Sequence, residues 1–325
     1  HLSINKSLKI NYFINSDFNF LNKNKIENKI SIKKNKKNYE VSGKIFDATY
    51  LIDQLLHDDI STDTAIFSNN FSSNIKIKID KTYLDSSTYL NNLSGNLIYK
   101  KNKLEELNLI SKFPSNKKIT FTIKTNKSRK EKVTTLFSEY AKPLVKKYKF
   151  IKGFEEGSLD LYSVKKNNSS KSKLKIYDFK LKEVPALTKI LTLASLQGIA
   201  DLLTGEGIRF NEFEMNFSNK GNLLTIDEIY AIGPAISILM SGYIENDNLI
   251  SLRGTLVPAT TLNKVIGSIP FLGNILVGKK TGEGVFGVSF KIKGPPKKLK
   301  TTVNPIKTLT PRFITRTLEK IKKSN

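Results

Sequence analysis

The chain has 325 residues, 39% of them hydrophobic, which is enough to bury a sizeable core and excludes disorder as the global state. Lys plus Arg number 54 against 29 Asp plus Glu, a net charge of +25, yet only five basic residues are arginines: Arg129, Arg209, Arg253, Arg312 and Arg316. Lysine lacks the planar fork that reads guanine or clamps phosphate, so the balance argues against nucleic-acid reading and for solvated lysines on an outer face, where they also keep sheet edges from pairing.

The N-terminus starts at His1 with neither a methionine nor a signal pattern, and no run reaches the ~18 to 20 apolar residues needed to span a bilayer. A longer protein is therefore expected, with any membrane anchor upstream. From here the dominant signal is period two, in short runs separated by Asn, Ser, Gly and Lys clusters. Weak alternation at 8–14, 29–33 and 40–46 precedes a strong unit, in which Ile75, Ile77 and Ile79 alternate with Lys76, Lys78 and Asp80. Runs at 93–99 and 104–110 follow, then Ile119, Phe121 and Ile123 against Thr120, Thr122 and Lys124.

Residues 133–147 read as a short helix broken by Pro143, and a boundary near 148, where Lys and Asn thin out, divides 1–148 from 149–325. Strands at 159–164 and 174–181 flank a Lys-, Asn- and Ser-rich hairpin loop over 165–173. The longest helix is expected over 184–203, with Pro185 in its first turn, a stripe of Leu187, Ile190, Leu191, Ala194, Leu202 and Leu203, and Gly205 as its stop.

Phe213, Met215 and Phe217 then alternate with Glu212, Glu214 and Asn216, and further strands fall at 223–230, 236–244 and 249–257. An apolar segment over 262–277, cut by Gly267, Pro270 and Gly273, predicts two short helices or a helical hairpin. Phe286, Val288, Phe290 and Ile292 alternate with Gly287, Ser289, Lys291 and Lys293, and a basic amphipathic tail over 311–323 closes the chain. Strands of this number and spacing, each with one apolar and one wet face, predict a mainly β antiparallel meander with a few short amphipathic helices.

Motifs for chemistry are weak. Gly282, Gly284 and Gly287 spell G-x-G-x-x-G but lead into a strand, whereas a dinucleotide loop must open a helix. His57, Asp58 and Asp59 resemble a metal-binding dipeptide, but the only other histidine is His1, so a polar turn is the better reading. Cysteine is absent, which removes disulfides and thiolate metal sites and fits an oxidising compartment without requiring one. Aromatic rings share faces with Ile and Leu, which argues against base stacking. The expectation is a non-enzymatic protein with no catalytic residue, no metal and no cofactor.

The stretches Ile269-Pro270-Phe271-Leu272-Gly273, Gly282-Glu283-Gly284-Val285-Phe286-Gly287, Gly294-Pro295-Pro296, Val303-Asn304-Pro305 and Leu309-Thr310-Pro311 resemble the closing segment of the AsmA-like C-terminal region. Leu202-Leu203-Thr204-Gly205-Glu206-Gly207-Ile208 is similar to that family's helix-and-strand pair, and the motifs together cover roughly residues 150 to 315. Pro311-Arg312 departs from the family's usual Pro-Gly pair, and the first 150 residues resemble the family only in strand pattern. The resemblance implies a relative of the AsmA, TamB and YhdP class of envelope lipid-transport proteins. Such a relative is tethered to the inner membrane, is largely periplasmic, and forms a long curled β-groove through which phospholipids pass between inner and outer membranes.

The residues support the same expectation independently, because a sheet with one continuous apolar face must cover it and few residues are left for a second layer. The expected lining is Ile75, Ile77, Ile79, Ile119, Phe121, Ile123, Phe213, Met215, Phe217, Val288, Phe290 and Ile292. Leu187, Ile190, Leu191 and Ala194 mark a helix over the groove mouth or a core plug. Val265, Ile266, Phe271, Leu272, Ile275 and Leu276 mark a membrane contact or an end cap. The expected partners are phospholipid acyl chains and the inner and outer membrane surfaces, with no nucleic acid. Two other classes stay open: a scaffold for outer-membrane protein assembly or envelope integrity, receiving strands at a sheet edge, and a polyanion-binding module using the lysine face.

Overall fold

The computed structural model describes residues 2–4, 10–50, 71–101, 103–146, 153–245, 248–258, 287–296 and 298–306. The chain divides into two compact units, one comprising His1–Pro143 with Asp160–Asn167, the other Leu144–Leu159 with Asn168–Asn325. Sixteen strands lie in one open sheet whose spatial order follows the sequence, so the protein is mainly β, mostly antiparallel and not closed, with few short helices.

In the first unit a two-stranded pair, β1 (Leu2–Ile4) with β2 (Ile10–Phe13), precedes the large sheet. The sheet begins with β3 (Asn15–Leu21), β4 (Glu27–Asn35), β5 (Asn38–Asp47) and β6 (Ser73–Tyr83). It continues through β7 (Tyr89–Lys100), β8 (Lys103–Lys112), β9 (Lys118–Asn126) and β10 (Glu131–Ser138). The helix α1 (Lys142–Val145) follows.

Two features differ from the sequence reading. Residues 133–147 are not one helix: β10 pairs along its whole length with β9, Glu131 opposite Asn126 through Ser138 opposite Ile119, and only α1 is helical. Val133, Thr134 and Thr135 are β-branched and favour the extended chain, and Pro143 falls in the first turn of α1, where its missing N–H costs nothing. The second difference is direction, because β5 and β6 run parallel, Tyr39 opposite Ile75 and Gly43 opposite Ile79. Parallel neighbours require a crossover, and the 25 residues between Asp47 and Ser73 supply it.

Where that crossover begins, the Asp47 carboxylate accepts hydrogen bonds from Asn22 Nδ2, Asn24 Nδ2, Thr49 N and Thr49 Oγ1. Asn28, 1% exposed, accepts the Asp47 N–H at 2.7 Å, so a polar knot ties the β3–β4 turn to the end of β5. Where the crossover returns, Phe71 packs against Tyr39 and Tyr99, both ring pairs at 5.9 Å.

The second unit comprises part of β11 (Gly153–Lys166), then β12 (Ser169–Lys182), α2 (Pro185–Leu193) and α3 (Gln197–Thr204). It ends with β13 (Ile208–Lys220), β14 (Leu223–Ile232), β15 (Ile236–Glu245), β16 (Leu249–Pro258), β17 (Gly287–Gly294) and β18 (Lys300–Ile306). The stretch 165–173 is a hairpin, as expected, but its turn is short and both strands run into it.

The single helix expected over 184–203 is two. Ser195 takes a left-handed φ of 58°, its N–H donates to Thr192 O and that of Leu196 donates to Leu191 O, the pair of bonds that closes a Schellman motif. The break lets both helices bury their stripes: Leu187, Ile190 and Leu191 from α2, Ala200 and Leu203 from α3. The main contacts of α2 with the sheet are at β18, and those of α3 are at β12 and β13.

Candidate functional site

Registers decide which expected residues share a face. In the first unit Tyr39, Ile75, Leu97, Leu107, Ile123 and Thr134 stand opposite one another in succession from β5 to β10. The next row runs Ile32, Val41, Ile77, Gly95, Leu109, Phe121 and Leu136. A third joins Ile30, Gly43, Ile79 and Leu93, and Ser111, Ile119 and Ser138 align beyond it. Ile75, Ile77, Ile79, Ile119, Phe121 and Ile123 thus lie on one side of one sheet.

Exposure along these rows is graded. Tyr39, Leu107, Ile123, Ile79 and Ile119 are buried, while the middle row, from Ile32 through Val41, Ile77, Leu109 and Phe121 to Leu136, is half-exposed throughout. The opposite face carries Lys76, Lys78 and Lys124, all exposed. Gly95 sits in the middle row because the backbone of β8 comes close: a Cβ there would lie 1.9 Å from Asn108 O.

The second unit also aligns its apolar residues in cross-strand rows, most of them buried. Ile176, Phe213, Ala231, Ile238, Leu256 and Val288 form one row from β12 to β17. Leu174, Met215, Ile229, Met240, Gly254, Phe290 and Val303 form the next, and Phe217, Ile226, Gly242, Leu252 and Ile292 the third. Phe213, Met215, Phe217, Val288, Phe290 and Ile292 therefore share a face. Val288, Phe290 and Ile292 are buried, whereas Phe213, Met215 and Phe217 are half-exposed.

Period two fails at two places in this unit. Asp178 adopts a φ of 50°, and Ile176 and Phe179 both come within 3.5 Å of where a Gly157 Cβ would stand, so they flank one position although three residues apart. Phe179 stacks on Phe154 at 5.2 Å and on Phe210 at 5.4 Å and meets Phe213 edge-on at 6.4 Å, joining the helix end to the rows. Glu214, expected on the wet face, is instead 5% exposed. Its carboxylate accepts from Asn216 at 3.1 Å and lies 3.3 Å from Lys173 Nζ and 3.7 Å from Lys175 Nζ, whose stems cover it. Tyr230 and Glu228, on β14 beside it, are also buried.

Of the helix residues, Leu187, Ile190 and Leu191 are buried and Ala194 is half-buried. The expected membrane contacts Val265, Ile266, Phe271, Leu272, Ile275 and Leu276, the segment 262–277, His57 with Asp58 and Asp59, and the tail 311–323 lie outside the described residues. Gly287 opens β17, so the last glycine of the G-x-G-x-x-G run begins a strand.

Among the described residues no group of three or more His, Cys, Asp or Glu could hold a metal ion, and no helix is long and apolar enough to cross a membrane. A surface depression of about 570 Å3 is lined by Asp17, Asn19, Lys29, Ser31, Lys44, Lys78 and Asp80 with Phe18, Ile30 and Gly43. Its charged rim makes it a poor seat for a hydrocarbon tail. Comparison with family models, with curated proteins and with solved structures returns no match.

Proposed function

We propose that the chain shields the acyl chains of phospholipids on its apolar sheet face and transfers them between membranes, without catalysis. One observation carries this reading: in the first unit the cross-strand row from Ile32 through Val41, Ile77, Leu109 and Phe121 to Leu136, interrupted by Gly95 alone, stays half-exposed along its whole length, while exposed Lys76, Lys78 and Lys124 stand on the other side. Leaving such a surface to water is costly, and so is leaving a lipid tail there. A two-chain phospholipid holds on the order of 30 methylenes, worth about 20 kcal/mol or more at ~0.8 kcal/mol each. Seating tail against row removes both costs without any fixed headgroup contact.

The AsmA-like resemblance of residues 150–315 supports the same reading and suggests the periplasm, with a tether to the inner membrane, as the setting. Organic extraction of the purified chain followed by mass spectrometry tests it. Phospholipid should be recovered from the wild type and lost when Ile77→Asp and Phe121→Asp are combined. A protein that folds and carries no lipid contradicts the proposal.

A second reading, that the sheet edge receives a polypeptide strand, is favoured by edge strand β3 and the residue before it, where Ile14, Phe18, Phe20 and Leu21 are 42%, 37%, 47% and 67% exposed. It expects co-purifying β-strand polypeptides and indifference to lipid.

A further inference from the structure

The first unit segregates its charge between the two ends of its strands. The β4–β5, β7–β8 and β9–β10 turns all lie at one end, where β5 and β6 begin side by side. With their flanking strand residues, 34–39, 99–104 and 125–132, they hold ten lysine or arginine side chains and a single carboxylate, Glu131. The opposite end, 20–28, 46–50, 82–90, 111–119 and 137–141, holds five lysines and four carboxylates.

A general drift toward lysine would load both ends alike. Two carboxylates near the basic end are paired: Glu105 lies 3.3 Å from Lys100 and 3.4 Å from Lys127, and Glu131 lies 3.7 Å from Lys166, while Glu40 and Glu106 stand exposed just inside those strand ends. Lys36, Lys37, Lys101, Lys103, Arg129 and Lys130 are exposed.

We propose that this rim docks on the phosphate headgroups of a bilayer rich in anionic phospholipid. Five strand steps separate the β4–β5 turn from the β9–β10 turn, so the turns spread over roughly 25 Å at ~4.8 Å per step and meet many headgroups at once. Lysines act there as point charges, which suffices for a fluid anionic surface. The aromatic side chains at this end are engaged with each other, Tyr39 and Tyr99 against Phe71, so they offer no open stacking platform for bases. The inference rests on the lipid-shielding reading for its choice of partner, since Ile75, Leu97 and Ile123 stand in the apolar row nearest this rim.

The test is sedimentation of the full chain with vesicles of phosphatidylcholine alone or with about one-third phosphatidylglycerol. Combining Lys36→Gln, Lys37→Gln, Lys101→Gln and Lys130→Gln should weaken binding to the anionic vesicles about tenfold or more, while Lys23→Gln, Lys25→Gln, Lys117→Gln and Lys118→Gln, with the same charge change, should stay within about twofold. Equal loss in both sets, equal binding to neutral vesicles, or a rim that prefers duplex DNA to vesicles overturns the proposal. The Ile77→Asp, Phe121→Asp protein should still sediment. If it does so without extractable lipid, the rim and the apolar face are separate functions. If lipid is extracted from the wild type but no vesicle binds, the rim assignment fails and the acyl-shielding reading stands.

Discussion

Ile77 of β6 and Phe121 of β9 stand in one row across the sheet, joined position by position through Gly95 and Leu109, and both are half-exposed. Charge placed at these positions reaches the face without entering a closed core. The Ile77→Asp, Phe121→Asp protein should keep its far-UV circular dichroism and lose about tenfold or more of its co-purified phospholipid. Lys76→Asp with Lys78→Asp, on the other side of β6, should leave lipid content unchanged although it alters net charge more.

The helix pair separates packing from surface. Leu191 is fully buried in α2, whereas Leu193, two residues on, is 51% exposed. Leu191→Ala should cost about 2 to 4 kcal/mol in chemical denaturation of the second unit, and Leu193→Ala about 0.5 kcal/mol or less.

Ser195 holds a left-handed conformation that glycine adopts more readily. Ser195→Gly should stabilise the α2–α3 junction by about 0.5 to 1 kcal/mol, and Ser195→Val should destabilise it. Thermal unfolding of the two variants reads the sign directly.

Burial would raise the Asp47 carboxyl, but hydrogen bonds from Thr49, Asn24 and Asn22 outweigh it and hold the group below its ordinary 3.8. A carboxylate lowered on folding stabilises fully above its unfolded value and loses that contribution as the pH falls through its folded value. Asp47→Ala should therefore destabilise the first unit by about 1 kcal/mol at neutral pH, solvent screening keeping the effect modest, and the gap should narrow as the medium is acidified through and below the ordinary aspartate range. A constant difference across pH 2 to 7, by denaturant midpoint, would mean the carboxylate charge plays no part.

Strand existence was legible in sequence because one-sided burial writes a two-residue period, and Ile75, Ile77, Ile79 or Phe213, Met215, Phe217 declare it without help. Strand direction was not, since nothing in Ile45 or Ile75 encodes whether a neighbour runs parallel; that depends on the crossover between β5 and β6. β10 was misread because Leu136, Phe137, Tyr140 and Ala141 mimic a helical stripe, and the pairing with β9 overrides it. The rows themselves depend on register, which turns such as that between β9 and β10 set and which alternation cannot supply. Positive φ at Asp178 and Ser195 broke the periods at the two places where a helix end or an aromatic stack had to be met. The burial of Glu214 left no trace in sequence, because covering it falls to lysines on a neighbouring strand.

Phe121 and Phe137 offer the most direct comparison, since Phe121 is half-exposed in the middle apolar row while Phe137, paired with Thr120 and 40% exposed, projects from the other side of the same hairpin. A photoreactive benzoylphenylalanine placed at each position, followed by irradiation in cells and mass spectrometry, should give phospholipid adducts at 121 and none above background at 137. Equal adducts at both positions, or none at 121 in a folded protein, would contradict acyl chains lying along the apolar face.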